Sequence, residues 1–328
     1  MRDLWLNECM LGNLFVGLIL ILIIVISSGV AVEIFEKLAH RIRTSKLLLA
    51  TILVGFSTSL PELFVGIGSA LRGQPQISLG DILGANLANL SWIIGGAAVL
   101  AGTIPVVGEY LKKDLWITMV AAMIPFVLMS DGSLSRIDGL ILIAFYVLYL
   151  QDLIKNGNHH LKHLRLTGRV HHRLKTEVHW MVQSFKLVLA LGSLAASSWM
   201  LINIVLNISA SLGVSAFWVG LIVIAFGTTL PELMLSITAS KKRDIALVLG
   251  NVLGSVVVNS TLILGIVAVI NPIDYPESLQ RGVAGIFLIL VLGLFWLFTK
   301  SKHKLERWEG AVLVGVYAMF VGLQLMLA

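Results

Sequence analysis

Ser57-Thr58-Ser59-Leu60-Pro61-Glu62 and Gly227-Thr228-Thr229-Leu230-Pro231-Glu232 are near-identical words, each set inside an apolar run long enough to cross a membrane. An ionisable side chain at that depth is costly and by default marks function. The same acid twice, each beside a proline, implies one site assembled from two halves. The offset of 170 residues between the two words also relates Gly84 to Gly254 and Asn89 to Asn259. The chain is therefore an internal duplication, and the duplication organises the fold.

Composition sets the class. With 57% hydrophobic and 13% charged residues and a mean hydropathy of +0.93, the chain is far from a soluble domain, which carries about 25% charge. Stretches long enough for a spanning helix, roughly 20 residues, recur at 11–33, 47–71, 77–101, 114–130 and 136–154, then at 181–207, 216–240, 245–270, 281–299 and 308–327. The expectation is an all-α integral membrane protein with ten transmembrane helices, as repeats 1–154 and 181–328 joined by a basic, His-rich linker at 155–180. The single cysteine, Cys9, excludes an intrachain disulfide or thiolate metal cluster. Met1 to Glu8 lacks the cationic region and cleavage site of a removed signal peptide, so the first span is expected to stay in place.

Basic residues fix the orientation, because short loops rich in lysine and arginine stay cytoplasmic. Nineteen lie after odd-numbered spans, at Lys37 to Lys46, Lys112 and Lys113, Lys155 to Lys175, Lys241 to Arg243, and Lys300 to Arg307. Only Arg2, Arg72, Arg136 and Arg281 lie on the other side. Both termini are thus expected outside, and the net charge of +6 is a topology signal that needs no nucleic acid. Five spans per repeat is an odd number, so the second repeat starts from the opposite face. The repeats must be inverted.

Inverted repeats with interrupted helices, meeting at a midplane site, characterise transporters. Pro61 has no N–H to offer the Ser57 carbonyl, and Pro231 none for Gly227. Backbone freed at membrane depth must find another partner, such as a cation in a protein-lined cavity. Thr58 and Glu62 are four residues apart, as are Thr228 and Glu232, and each pair therefore shares a helix face. Ser255 and Asn259 repeat that spacing, with Ala85 and Asn89 as their counterparts. Carboxylates, amides, hydroxyls and carbonyls are the oxygen set that calcium prefers. Two glutamates supply a charge of about −2, balanced by one divalent or two monovalent cations, and an empty pair is expensive in low dielectric. That balance is the physical basis of exchange.

The paired words, G-x-S-T-S-L-P-E with G-D-x-x-G-A-N-x-x-N and A-x-G-T-T-L-P-E with G-N-x-x-G-S-x-x-x-N, resemble the two repeats of the calcium:cation antiporter superfamily, in its sodium/calcium exchanger branch of prokaryotic type. The resemblance covers essentially the whole chain. It implies two inverted repeats with broken helices at the ion site, in a multi-pass protein of a prokaryotic cell membrane. It further implies that Glu62 and Glu232 bind calcium, aided by the Thr58 and Thr228 carbonyls. Sodium would use Ser59, Thr229, Ser255, the backbone of Gly55 and Ala225, and the same glutamates, with Asn89 and Asn259 lining the central site. Calcium and sodium are then substrates, lipid the surroundings, and neither a resident cofactor nor an obligatory protein partner is implied. Three departures stand out. Ala85 replaces a usual serine and removes one sodium ligand. Asn259 stands where potassium-dependent relatives have aspartate. Leu253 stands where proton-coupled relatives have glutamate.

Other readings remain open on the residues alone. Asp81 faces Asn251 in the duplication and reads equally as a helix cap near the outer surface or as a point of ion access. Asn89 and Asn259 could bridge helices. The linker holds His159, His160, His163, His171, His172 and His179, a zinc-like tract whose interspersed lysines favour a solvated, headgroup-facing role. Exchange coupled to protons, or of magnesium or manganese, is the alternative transport reading, although magnesium's tight octahedron suits a carbonyl-rich site less. An intramembrane enzyme is disfavoured by the absence of a His-Glu-x-x-His or nucleophile word in the spans. A passive channel would have no need of inverted broken helices.

Overall fold

The computed structural model describes residues 2–39, 54–105, 109–160, 177–242, 244–274, 279–302 and 304–327. Among the described residues, nine helices are long and apolar enough to cross a bilayer: Gly12–Ile34, Pro75–Ala101, Lys113–Asp131, Arg136–Lys155, Val182–Leu212, Ala216–Lys241, Leu247–Ile270, Gly282–Lys300 and Arg307–Met326. The second expected span, 47–71, is described from residue 54, and its main helix is the shorter apolar Leu60–Leu71. Most of the His-rich linker, residues 161–176, lies outside the described residues.

In chain order the first repeat contains α1 (Arg2–Ala39), α2 (Gly55–Thr58), α3 (Leu60–Leu71), α4 (Pro75–Ala88), α5 (Ile94–Ala101), α6 (Glu109–Leu128) and α7 (Arg136–His160). The second contains α8 (Glu177–Leu212), α9 (Ala216–Val219), α10 (Ala225–Thr228), α11 (Leu230–Lys241), α12 (Ile245–Val257), α13 (Leu264–Ile270), α14 (Leu279–Lys302) and α15 (Arg307–Met326). Nearly all of it is helix. Four short strands depart from the all-α expectation: β1 (Thr103–Pro105), β2 (Ser133–Leu134), β3 (Ile273–Asp274) and β4 (Lys304–Glu306). They exist because backbone groups in the tight connections between helices still need hydrogen-bond partners.

These strands report the inversion directly. β1 pairs antiparallel with β4, Thr103 opposite Glu306, and β2 with β3, Ser133 opposite Asp274. β1 follows the third span and β4 the ninth, an even number of crossings apart, so they share one side. β2 follows the fourth and β3 the eighth, which puts that pair on the other side. The offset of 170 carries Thr103 of β1 onto Ile273 of β3. Equivalent segments therefore sit at opposite ends of the molecule, as an inverted duplication demands.

Small residues let the two repeats interlock. A Cβ on Gly95 would lie 2.6 Å from the Gly310 carbonyl oxygen, and one on Gly139 would lie 2.7 Å from that of Gly265. At the centre, a Cβ on Gly80 would meet the Phe217 carbonyl oxygen at 2.1 Å, so α4 crosses α9 backbone to backbone. Residues of α4 are almost all buried. Helices at the rim instead turn apolar side chains outward, as at Leu18, Ile137 and Ile286, where lipid is the solvent. The two longest helices, α1 and α8, pack along each other through an apolar cluster that includes Leu20, Ile24, Leu201, Ile202 and Val205 and extends to Leu60 and Val65 of α3 and Ile77 of α4. They meet the central bundle mainly through α3.

Each proline word makes a slight break. Ser59, with φ −82° and ψ 7°, separates α2 from α3, and Thr229, with φ −82° and ψ −2°, separates α10 from α11. The chain turns onward at once, since the N–H of Ser59 still donates to the Gly55 carbonyl and that of Thr229 to the Ala225 carbonyl. The helices are thus kinked and loosened by one residue rather than unwound. Wider π-type turns at Asn89–Ile93 and Val258–Ile263 occupy matching places in the two repeats, a feature frequent at functional sites.

Candidate functional site

The two kinks and the two central helices, α4 and α12, meet in the interior. Glu62, Glu232, Thr58, Thr228, Ser59, Thr229, Ser255, Asn89, Asn259, Gly55 and Ala225 are all buried there. Glu62 lies in the first turn of α3, and Glu232 in that of α11. An acid in the first turn of a helix faces the positive end of its dipole. This placement lowers the cost of two carboxylates in a dry interior without removing it.

One half of the site is knitted by hydroxyls. The Thr58 side chain donates to Asn251 Oδ1 at 3.0 Å, and its oxygen lies 3.1 Å from that of Ser255. Ser255 lies 3.2 Å from the Gly55 carbonyl oxygen and 3.4 Å from Glu232 Oε1. Glycine at 55 lets this geometry close without strain, since an added Cβ would stand 3.1 Å from the backbone of Gly254 and Ser255 and push the segments apart by a few tenths of an ångström. A carboxylate, a carbonyl, two hydroxyls and an amide oxygen from both repeats thus converge. That set is oxygen-only and suits a hard cation.

The other half repeats the plan with different chemistry. Thr228 donates to Asp81 Oδ1 at 2.9 Å, where the first half has Asn251. Its hydroxyl also lies near the Ile224 and Ala225 carbonyls, and Thr229 donates to the Ala225 carbonyl at 2.7 Å. Ala85 offers no hydroxyl to bridge to Glu62 as Ser255 does to Glu232. Both carboxylate oxygens of Glu62 consequently lack a hydrogen-bond partner among the described residues, as does Glu232 Oε2.

Two readings of the sequence change here. Asp81 is fully buried in the second turn of α4, so it does not cap that helix near the outer surface, where Gln74 holds the cap position. Asn86, part of the quoted word G-D-x-x-G-A-N-x-x-N but given no role there, donates to Ser260 at 2.7 Å and accepts from Asn259 Nδ2 at 3.4 Å. Its counterpart in the duplication is Val256, so the repeat pattern assigned it nothing. Asn89 and Ser59 have no side-chain partner among the described residues and remain available as ligands. No three His, Cys, Asp or Glu side chains among the described residues converge as a preformed metal cluster. A cation held here would therefore draw on hydroxyl, amide and backbone oxygens as well as carboxylates.

Comparison with known proteins agrees with this architecture. The family model described as sodium/calcium exchanger protein matches residues 13–153 and 184–326. The sodium/calcium exchanger MaX1 of Methanosarcina acetivorans is 24% identical over 342 residues, covering 94% of this chain and 97% of that protein. A putative antiporter, CaxA of Alkalimonas amylolytica, is 28% identical over 294 residues, covering 89% and 91%. Among solved structures, the sodium-calcium exchanger NCX_Mj soaked with 2.5 mM Na+ and 0.1 mM Ca2+ superimposes with a TM-score of 0.67 at 25% identity, covering 96% of this chain and 98% of that one. Two matched segments, one in each half and together spanning most of the chain, leave a single assignment: this protein belongs to the sodium/calcium exchanger protein family.

Proposed function

We propose that the protein is a secondary active antiporter that exchanges Na+ for Ca2+ across a prokaryotic cell membrane. The observation that carries this reading is the pair Glu62 and Glu232, fully buried on symmetry-related kinks, with three of their four carboxylate oxygens unpartnered among the described residues. Such charges are costly in a membrane interior unless neutralised, and a bound cation does this through unpartnered oxygens of this kind. In this reading calcium takes both glutamates and the Thr58 and Thr228 carbonyls. Sodium takes Ser59, Thr229, Ser255 and the carbonyls of Gly55 and Ala225, with Asn89 and Asn259 at the centre. The two ions compete for one pocket, and occlusion requires neutralised glutamates, which couples the fluxes.

Alternating access is assigned to α1 and α8 moving against the core. Their contact with the core through Leu60 and Val65 of α3 is apolar, which supports that role, because a contact made of side-chain methyls slides at little cost. Gly68 on α3 packs against Ile202 of α8, and Gly227 on α10 against Ile21 of α1. The repeats are taken as 1–154 and 181–328 about the linker 155–180, with both termini outside, lipid as the only surrounding partner and no resident cofactor.

The test is calcium-45 uptake into proteoliposomes driven by an outward sodium gradient. Glu62→Gln and Glu232→Gln keep the side-chain shape and remove the charge, and each should lower uptake by at least about tenfold, the scale of a lost charged contact. Full uptake in either variant sinks the proposal, and uptake driven by a pH gradient without sodium would establish proton coupling instead.

A further inference from the structure

We propose that Asp81 is a cation-coordinating carboxylate, serving a monovalent sodium site in the half of the pocket where Ala85 lacks a ligand. The proposal rests on the antiport reading above and concerns which side chains of this chain take sodium.

Asp81 is fully buried, and its Oδ2 has no hydrogen-bond partner among the described residues. Its Oδ1 accepts from Thr228, whose hydroxyl also borders the Ala225 carbonyl. No basic side chain among the described residues pairs with it; the described ion pairs are Lys113 with Asp152 and Lys304 with Glu306, elsewhere in the fold. An isolated carboxylate in a dry interior neutralises itself or finds a cation. An oxygen left free beside a hydroxyl and a carbonyl is placed to do the second.

The internal duplication says what Asp81 replaces. Asp81 and Ala85 are four residues apart on one face of α4, as Asn251 and Ser255 are on α12. In the α12 half, a neutral amide and a hydroxyl both reach Thr58, and the hydroxyl also lies against the Gly55 carbonyl and Glu232. In the α4 half the hydroxyl is a methyl, and the amide has become a carboxylate. The ligand lost one turn along is thus exchanged for a stronger one at the other position. Among the described residues no three acids converge on one point, so the proposal places Asp81 as the anionic member of a separate, monovalent half-site rather than as a third ligand of the divalent ion.

The experiment reads binding apart from transport. The full chain is purified in detergent and its thermal midpoint followed against sodium chloride, with choline chloride holding ionic strength, and separately against calcium chloride. A ligand that binds only the folded state raises the midpoint by mass action. Asp81→Asn should raise the half-effective sodium concentration by about tenfold or more, the scale of a lost charged contact, with calcium's shifted no more than about twofold. The double variant Asp81→Asn with Ala85→Ser, which rebuilds the amide and hydroxyl pair of the other half, should recover most of the sodium effect. An unchanged sodium midpoint in Asp81→Asn, or equal losses for sodium and calcium, overturns the proposal. If Asp81→Asn does not fold, Ala85→Ser alone decides: tighter sodium binding supports the shared half-site, and no change refutes it. Sodium stabilisation of the wild type without sodium-driven calcium uptake would refute the antiport reading while leaving Asp81 as a sodium ligand.

Discussion

Gly84→Ala adds one methyl group where the structure has no room for it. The new Cβ would stand 2.2 Å from the Leu221 carbonyl oxygen and 2.5 Å from the Ala225 Cβ, against an ordinary carbon-to-oxygen contact of about 3.3 Å. Both neighbours belong to a backbone segment packed face to face with α4, so no rotamer change relieves the clash. The helices must part by about 1 Å. Overpacking of this kind costs about 1–3 kcal/mol, which for a chain of this size corresponds to a midpoint lowered by roughly 1.5–4.5 °C. Function should suffer more than stability. Ala225 and Thr228 ride on the displaced segment, and the 2.9 Å bond from Thr228 to Asp81 would stretch beyond hydrogen-bond range. Gly96→Ala is the matched control, since a Cβ there meets nothing within 4 Å, and alanine is the better helix former by about 1 kcal/mol. Thermal midpoints and sodium-driven calcium-45 uptake, measured on both variants, decide the matter. Wild-type stability and uptake in Gly84→Ala, or equal damage in Gly96→Ala, would refute the claim that this crossing holds the site together.

Other perturbations probe separate parts of the fold. Asn86→Ala strands the Ser260 hydroxyl and the Asn259 amide in the interior, a loss of about 1–3 kcal/mol that a thermal scan resolves; a neutral result would mean that the bridge contributes nothing. In a Cys9→Ser background, Thr103→Cys with Glu306→Cys, and separately Ser133→Cys with Asp274→Cys, should form disulfides on mild oxidation, because these positions face each other across antiparallel pairs. An impermeant thiol reagent applied to intact cells should label the reduced Ser133 and Asp274 variants and spare the other pair; the reverse pattern overturns the predicted orientation. Arg72→Leu removes a cation–π contact 3.8 Å from the Trp199 ring that ties the end of α3 to α8. That contact is worth about 0.5–1 kcal/mol, so turnover should change by no more than about fivefold with calcium half-saturation unmoved, and a large shift in half-saturation would refute a purely mechanical role.

The spans and their inversion were legible because the bilayer constrains sequence harshly. About 20 apolar residues are needed per crossing, and five crossings per copy leave no choice but inversion. Glu62 and Glu232 were legible for the same reason, since a charge at that depth must be explained. What escaped was whatever breaks the duplication or leaves no pattern. Asp81 stayed open between a helix cap and a point of ion access because Asn251 stands opposite it, and the structure sets the two on the symmetry-related threonines Thr228 and Thr58. Asn86 and Ser260 hydrogen-bond to each other, but their counterparts are Val256 and Leu90, and repeat logic skips positions that are polar in one copy alone. The β pairs are two and three residues long, too short for any periodicity to register. The π-type turns likewise follow from hydrogen-bond geometry that residue type does not encode.

Those departures from symmetry bear on how an exchanger of this build can have a preferred direction. If the halves of an inverted repeat were chemically identical, turning the molecule over would regenerate it, and its inward- and outward-facing empty states would have equal energy. Differential ion binding between those states could then come only from the solutions on either side. Here the halves differ at the ligands themselves: carboxylate and methyl at Asp81 and Ala85, amide and hydroxyl at Asn251 and Ser255. Glu62 consequently lacks the hydroxyl donor that Glu232 has. A sodium ion in the α4 half meets an extra negative charge, whereas one in the α12 half meets neutral oxygens and a single glutamate. Under the proposed exchange, the one pocket opens to either side through halves that are not chemically equivalent, so its inward- and outward-facing states differ in energy. Exchanging the residues of Asp81 and Asn251 should move that bias to the other side.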